Sequence, residues 1–390
     1  MMPVISYYYT VPYLFSCLFL VLMMYYEFHL INRQKNIQKI KILIAFWFLF
    51  FFGLRGYVLE DWTNYYHFFY SLPSINTFKI EDNYYGFEIG FVFYTLVIKT
   101  LFNDYHIWIF ISSAIDFFVL NWFVKKYSPY YVMPFILFFA FTGISLEIDT
   151  MRNVKSIMFF LLSVPYLQRG YFIKYSLLNL IGMLWHSISV IYIPLFFLFR
   201  YKIPMKWIWT IFILLSSFFL FHISFMELIL NRLGNYTGGK VQELIMAYLS
   251  SEYSLNRYSF SIGFFERIAS FILVACYYKK IKNNTQVIFC NFYICYFFFF
   301  MFFSNIEVLA SRMSLLFIMA YWIVFPYIYK SVLSLRWKAV FIFLFIAVAF
   351  LKVFMGTNKI IYRYDNILFG IESLEERSKL VKQYHDFVRT

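Results

Sequence analysis

The chain reads as an all-α, polytopic integral membrane protein of about twelve transmembrane or re-entrant helices, each crossing needing about 20 apolar residues. Three observations predict this. Of 390 residues, 62% are apolar, 26% aromatic and only 14% charged, against roughly 25% charged in a soluble domain. Apolar stretches near crossing length recur throughout, and basic residues gather in short clusters between them, as in cytoplasmic loops of polytopic proteins. Twelve spans use roughly 240 residues, which leaves no room for a soluble catalytic domain.

The apolar segments are 8–30, 40–54, 86–102, 106–124, 130–146, 153–168, 175–199, 207–225, 262–278, 286–303, 313–329 and 338–355. The first has neither a basic n-region nor an A-x-A-like cleavage site, so it is expected to be a retained span. Residues 1–390 therefore form a single multispan domain with three long outer connections, 55–84, 226–261 and 356–390. Polar or irregular backbone of that length cannot face lipid, so it must cap the bundle or line a wet cavity.

Orientation follows from the basic residues around Arg33, Arg200, Lys279 and Arg336, which strict alternation places together inside, with all three connections outside. That alternation leaves Lys125, Lys126, Arg169 and Lys174 on the outer side, against the rule. Making 86–102 and 175–199 re-entrant moves both pairs inside and brings Arg152 to the outer face, which is the preferred reading. The first of these segments is short and holds Gly86, Glu88 and Gly90; the second is interrupted by Gly182, His186 and Pro194.

The net charge of +14 suits loop clusters and anionic lipid. No basic helix or RNA-binding motif stands outside the spans, so nucleic acid is not an expected partner. Cys17, Cys276, Cys290 and Cys295 all lie in apolar runs and read as small buried hydrophobes.

An ionisable group at the bilayer centre costs at least ~2.5–3.5 kcal/mol, so each embedded one needs a partner, a wet cavity or a function. Arg55 leaves the membrane beside Gly56; Asp61, Asn64 and Tyr65 then share a helical face, with Trp62, Tyr66 and Phe69 on an adjacent stripe. A helix lying on the surface with its aromatic side in the interface is expected there. Glu88 opens a segment between two glycines and wants an arginine, Arg55 or Arg152, in a structural ion pair or a catalytic one. In SLEIDTMRNVKS, Asp149, Arg152 and Asn153 share a face, with Lys155 close by. Glu147 and Asp149 form an E-x-D pattern, but a hard cation usually takes more oxygens, so no metal is expected. His186 is either a satisfied packing residue or a general base. Asp116 with Asn121 reads as structural. Arg267 and Arg312 each open a late span, where basic residues snorkel by default.

Four pieces in this order, GLRGYVLEDWTNYY, YYGFEIGFVFY, IDTMRNVKSIMFFLLSVPYL and IGMLWHSISVIYIPL, resemble the EpsG group of bacterial exopolysaccharide polymerases, related in role to Wzy polymerases of O-antigen and capsule. A weaker likeness continues through Arg232, Tyr236, ASRMSLLFIMAYWIVFP and RYDNILF. The family's first-loop motif is usually richer in glycine before its aspartate, whereas YVLE precedes Asp61 here.

The resemblance implies a multispan glycosyltransferase of the bacterial inner membrane, joining undecaprenyl-pyrophosphate-linked repeat units at a site facing the periplasm or exterior. Donor and acceptor glycolipids, the bilayer and a chain-length regulator are the implied partners, and no cofactor is expected. A sugar on a lipid diphosphate is already activated, so its leaving group needs charge stabilisation, which the planar fork of arginine supplies. Arg152, with Arg55 or Arg312, is expected to bind the diphosphate. His186 or Glu88 is expected to act as acceptor base or to orient it, with Asp61 a further catalytic candidate and Trp62 and Tyr65 as sugar-stacking surfaces. Competing readings are a ligase or single-sugar transferase on the same donor, a lipid-linked oligosaccharide flippase or other transporter, and a membrane scaffold. A transporter should show pseudo-symmetric halves, and none is evident.

Overall fold

The computed structural model describes residues 2–221, 229, 232, 262–332 and 334–389. The expected connection 226–261, including Tyr236, lies outside the described residues but for 229 and 232. Among those described, every regular element is helical, and β-type pairing is limited to isolated bridges such as Arg55 with Asn366. Contacts group into two compact units, Met1–Ile193 with Tyr329–Thr390, and Pro194–Ile328.

The first unit holds α1 (Val11–Asn32), α2 (Gln38–Phe48) continued by a π-helical turn at Leu49–Gly53, α3 (Trp62–Ser71), α4 (Ile89–Phe102) and α5 (Tyr105–Tyr127). There follow α6 (Met133–Phe138), a π turn at Phe139–Gly143, α7 (Ile144–Ile148), α8 (Met151–Arg169) and α9 (Phe172–Met183). From α10 (Tyr192–Arg200) the chain enters the second unit, with α11 (Met205–Leu220), α12 (Ile262–Lys280), α13 (Asn284–Phe302), α14 (Glu307–Leu315) and α15 (Met319–Ser331). It returns through α16 (Leu335–Gly356) and ends in α17 (Leu374–Arg389).

Helices fall where the apolar segments lie, but their lengths divide them. Among the described residues four are long and apolar enough to cross a membrane, namely Tyr7–Asn32, α5, α13 and α16, and a fifth arises if α14 and α15, bent by 59°, act as one span. The others are short, broken or charged. Of the four long helices, α16 is the least covered by protein, with Phe343 71% exposed, and a helix apolar all round needs an apolar surround.

The two segments expected to be re-entrant hold only short apolar helices, α4 in the first and α9 and α10 in the second. At the start of α4, Gly90 N–H donates to Leu184 O at 2.9 Å. At its far end, Lys99 Nζ donates to the carbonyls of Phe69 (2.8 Å), Tyr70 (3.0 Å) and Leu72, and Thr100 Oγ1 accepts from Ile75 N–H at 3.2 Å. Its far end thus lies against residues 69–75 of the preceding connection. The α9 segment runs back along α8, with Asn179 Nδ2 donating to Ser163 Oγ at 3.1 Å, and turns at 184–187 beside the start of α4. Arg152 consequently lies at the same end of the bundle as the first connection.

The C-terminal connection roofs that end. Gly56 N–H donates to Asp365 O (3.0 Å), Leu59 N–H to Ile361 O (2.9 Å) and Ile367 N–H to Leu54 O (2.9 Å). Buried Arg377 locks the fold of the tail, pairing with Asp365 at 3.0 Å and Glu372 at 3.1 Å. His385 of α17 meets Glu60 at 3.3 Å.

The expected surface helix exists as α3, but its aromatic side is not in a lipid interface. Trp62 (4% exposed) and Tyr65 (3%) pack with Phe68, Phe69, Phe91 and Trp108 into an aromatic core. With α4 and the start of α5 folded over it, α3 buries the stripe that an isolated helix would have given to lipid.

Candidate functional site

Three strands of the polar pattern meet at the roofed end: the start of α4, the start of α8 and the tip at 184–187. Arg152 Nη1 lies 2.7 Å from Glu88 Oε2, with the two side chains 26% and 20% exposed. Glu88 Oε1 accepts from Ser187 N–H at 3.1 Å, and His186 is close enough to act on the Glu88 charge. Burial raises the Glu88 carboxyl, but hydrogen bonds from its own and the Ser187 N–H, then Arg152 and His186, outweigh it, so Glu88 is held below the usual carboxylate value and is an anion at neutral pH. The guanidinium carbon of Arg152 lies 4.1 Å from the centroid of the Phe87 ring, while Nε is buried and makes no hydrogen bond. Stacking fixes the plane of the fork without using its donors.

Gly90 makes this convergence possible. A Cβ there would come within 2.7 Å of both Leu184 Cβ and Leu184 O, inside any real contact. Gly90→Val is expected to push α4 off the 184–187 tip, cost about 1–3 kcal/mol and free Glu88 from Ser187. A fall in the Tm of the solubilised protein checks this; an unchanged Tm contradicts it.

His186 stands at the N-cap of the 3-10 turn Ser187–Ile191, its Nδ1 accepting from Ile188 N–H at 3.4 Å. With Nδ1 assigned as acceptor, a neutral ring carries its proton on Nε2. Of the two residues expected as base, Glu88 is the one held as a carboxylate anion.

Asp61 begins α3 and its own N–H donates to Asp149 Oδ1 at 3.0 Å, as does that of Glu60 at 3.1 Å. Tyr65, between them and Arg152, feels the charges of Asp61, Arg152 and Asp149. Asp149, between α7 and α8, therefore clamps the first connection onto the start of the Arg152 helix. Burial first, and the Asp61 carboxylate second, push its carboxyl up to about 7 against the two N–H bonds. Since the folded value lies above the ordinary 3.8, its favourable contribution is full below that value and is lost as pH rises through about 7. Asp149→Asn keeps an oxygen for both N–H groups. Its Tm, relative to wild type, should rise between pH 4.5 and 7.5; an unchanged difference would contradict the burial of an ionising Asp149.

The other expected residues are placed differently. Arg55, expected on the diphosphate, is 3% exposed and donates to Phe52 O (2.5 Å), Ser113 Oγ (3.3 Å) and Glu147 O (3.3 Å). Its fork is spent on a carbonyl of the π turn ending α2, on the Ser113 hydroxyl of α5 and on the Glu147 carbonyl of α7, so it braces the fold. Trp62 and Tyr65, expected as sugar-stacking surfaces, present no open ring face, and Trp62 Nε1 donates to Leu59 O at 3.1 Å. Arg312 is exposed on α14 in the second unit. There Arg267 donates to Tyr296 Oη (2.9 Å) and Gly263 O (2.9 Å) and lies over Phe300. Asp116 is paired with Lys155, whose Nζ also donates to Ser112 O at 2.8 Å; these side chains are 1% and 4% exposed. Asn121 instead accepts from Tyr131 Oη. Glu147 faces Asp116, Lys155 and Arg55, whereas Asp149 faces Asp61, so the E-x-D pair diverges.

Sequence reasoning missed Phe87 as the platform for Arg152, although it adjoins Glu88. It also missed the N–H groups capped by Asp149, which no side-chain pattern encodes. No curated protein and no solved structure matches the chain. The model of the EpsG family matches residues 38–366, well over half of the sequence and including every residue of the Glu88, Arg152 and His186 cluster: the chain belongs to the EpsG family.

Proposed function

We propose that the protein is a membrane glycosyltransferase that joins undecaprenyl-pyrophosphate-linked repeat units into exopolysaccharide on the outer face of the bacterial inner membrane. Membership in the EpsG family supports a membrane polymerase of exopolysaccharide synthesis. One observation carries the chemical part: the Glu88–Arg152 pair is partly open, whereas Lys155–Asp116 is closed off. Buried ion pairs brace folds; an open one retains donors for a ligand.

In this reading the Arg152 fork binds the diphosphate of the donor. As the bond from the sugar C1 to the phosphate oxygen breaks, charge grows on the departing diphosphate, and Arg152 and the Nε2–H of His186 stabilise it. The acceptor hydroxyl attacks C1, forming the new glycosidic bond, and passes its proton to Glu88. A weakly basic carboxylate suffices for an acceptor attacking an oxocarbenium-like centre. Because Glu88 also holds Arg152, acid and cation stay in register.

Deleting the gene and resolving the surface glycan by gel tests the reading. Polymerase predicts that the ladder collapses to single repeat units. Loss of all surface repeats points to a flippase or ligase, and an unaltered ladder contradicts the proposal.

A further inference from the structure

A groove runs down the seam between α1 and α16 in the first unit. The two helices are antiparallel: Tyr7, just before α1, stacks on Phe354 at 4.5 Å, and Phe28 stacks on Tyr329, at the end of α15, at 5.4 Å. Between those contacts lies a cavity of about 680 Å³, walled by Leu18, Val21 and Tyr25 of α1 and by Ile342, Ile346 and Phe350 of α16, a volume in the range of small-molecule sites. Ala339 and Ala347 also line it, so the α16 wall carries little bulk. Among the described residues of the wall Lys338 alone is charged. Its ammonium lies over the Tyr329 ring, 5.7 Å from the centroid, a contact that uses no hydrogen-bond acceptor. From Lys338 to Phe350 the groove follows α16 for about 18 Å at ~1.5 Å per residue, close to the half of a ~30 Å hydrocarbon core that one leaflet supplies.

Charge favours an anion at the Lys338 end. The sequence has no Asp or Glu between Glu27 and Glu60 or between Glu307 and Asp365, while Arg33 follows α1 and Lys330 and Arg336 precede Lys338. Glu27 itself is buried and accepts from the N–H groups of Tyr131 (2.5 Å) and Val132 (2.9 Å), so its charge is spent inside the bundle. This end is the far one from the roof: about 27 Å of helix separates Lys338 from Gly356, where α16 ends and the tail begins.

We propose that this groove holds one anionic glycerophospholipid of the surrounding bilayer, its phosphate at Lys338 and an acyl chain along Ile342, Ile346 and Phe350. Those three residues, at i, i+4 and i+8, form one apolar stripe. Any acyl chain fits such a stripe, so the ammonium at its end is what selects the headgroup, and a lysine near an anionic leaflet contributes about 1 kcal/mol. The site is independent of the polymerase reading, because its headgroup end and Arg152 lie at opposite ends of the bundle. Its consequence reaches the roof through the helices: Ser6 N–H, ahead of α1, donates to Asn358 O at 2.8 Å, and Ile360 N–H to Val4 O at 2.8 Å. A lipid that ties α1 to α16 therefore steadies the two helices from which the tail hangs.

Native mass spectrometry of the delipidated full-length protein, titrated with phosphatidylglycerol and separately with phosphatidylcholine, tests it. Wild type should retain one phosphatidylglycerol in preference to phosphatidylcholine, and its Tm should rise with the former. Lys338→Gln should bind phosphatidylglycerol about fivefold more weakly and lose the preference, whereas Lys338→Arg should keep it. Ala347 is exposed on α16, so Ala347→Trp should fill the groove without disturbing the core and lose the same molecule, a check independent of charge. Lys279→Gln, on α12, should bind as wild type does. Wild-type binding by both Lys338→Gln and Ala347→Trp would overturn the proposal, as would equal retention of the two phospholipids, which marks bulk lipid. An equal loss with Lys279→Gln would mark overall charge rather than a site, and displacement by equimolar undecaprenyl diphosphate would mark a substrate groove; either result overturns it too.

Discussion

Arg152→Ala is expected to abolish chain growth while leaving the protein in the membrane. The pair it breaks is partly solvated, with 26% and 20% of the side chains exposed, so the fold should lose only about 1 kcal/mol or less. The reaction should lose far more, since removing a group that stabilises developing charge costs about 10²–10³ in rate. Arg152→Lys keeps the charge but loses the planar fork stacked on Phe87, so it should restore little activity. The ladder of surface glycan and the Tm of the solubilised protein separate the two effects. A normal ladder with Arg152→Ala removes this residue from the site.

Asp116→Ala should have the opposite signature. Lys155 is 4% exposed and Asp116 1%, so the truncation strands an ammonium in the bundle and should cost about 3–5 kcal/mol. Replacing both partners, Asp116→Leu with Lys155→Met, removes the stranded charge and should recover most of that loss. Thermal unfolding of the three proteins checks it. A single variant as stable as wild type would show that the pair does not brace α5 against α8. Together the two substitutions distinguish an ion pair that holds the fold from one placed to act.

Part of this was legible in the sequence because lipid makes charge expensive. Glu88, Arg152 and His186 stood out as embedded polar residues, and the structure brings them to one place. The positive-inside conflict at Lys125 and Arg169 led to the expectation that 86–102 and 175–199 are re-entrant; both hold only short helices, and Lys99 of α4 sits on the carbonyls of 69–72. Arg55 was misplaced for a physical reason. A guanidinium beside a glycine looks like a snorkelling or phosphate-binding group, but one carbonyl of the π turn before it, the Ser113 hydroxyl and the Glu147 carbonyl take its donors, and contacts made across the fold have no signature in local spacing. Trp62 and Tyr65 were assigned to an open face because helical periodicity gives a stripe without saying what covers it. The neighbours that cover them, Phe91 and Trp108, come from α4 and α5, whose packing on α3 is not written in the spacing of α3 itself. Asp149 acts through backbone N–H groups of Glu60 and Asp61, a kind of contact with no counterpart in side-chain spacing.

The most direct test uses the purified full-length protein in liposomes with undecaprenyl-diphosphate-linked repeat units. Wild type should extend the glycan and release one undecaprenyl diphosphate for each bond formed, while Arg152→Ala, equally folded, should do neither. Extension by Arg152→Ala at the wild-type rate, or none by wild type, would contradict the account.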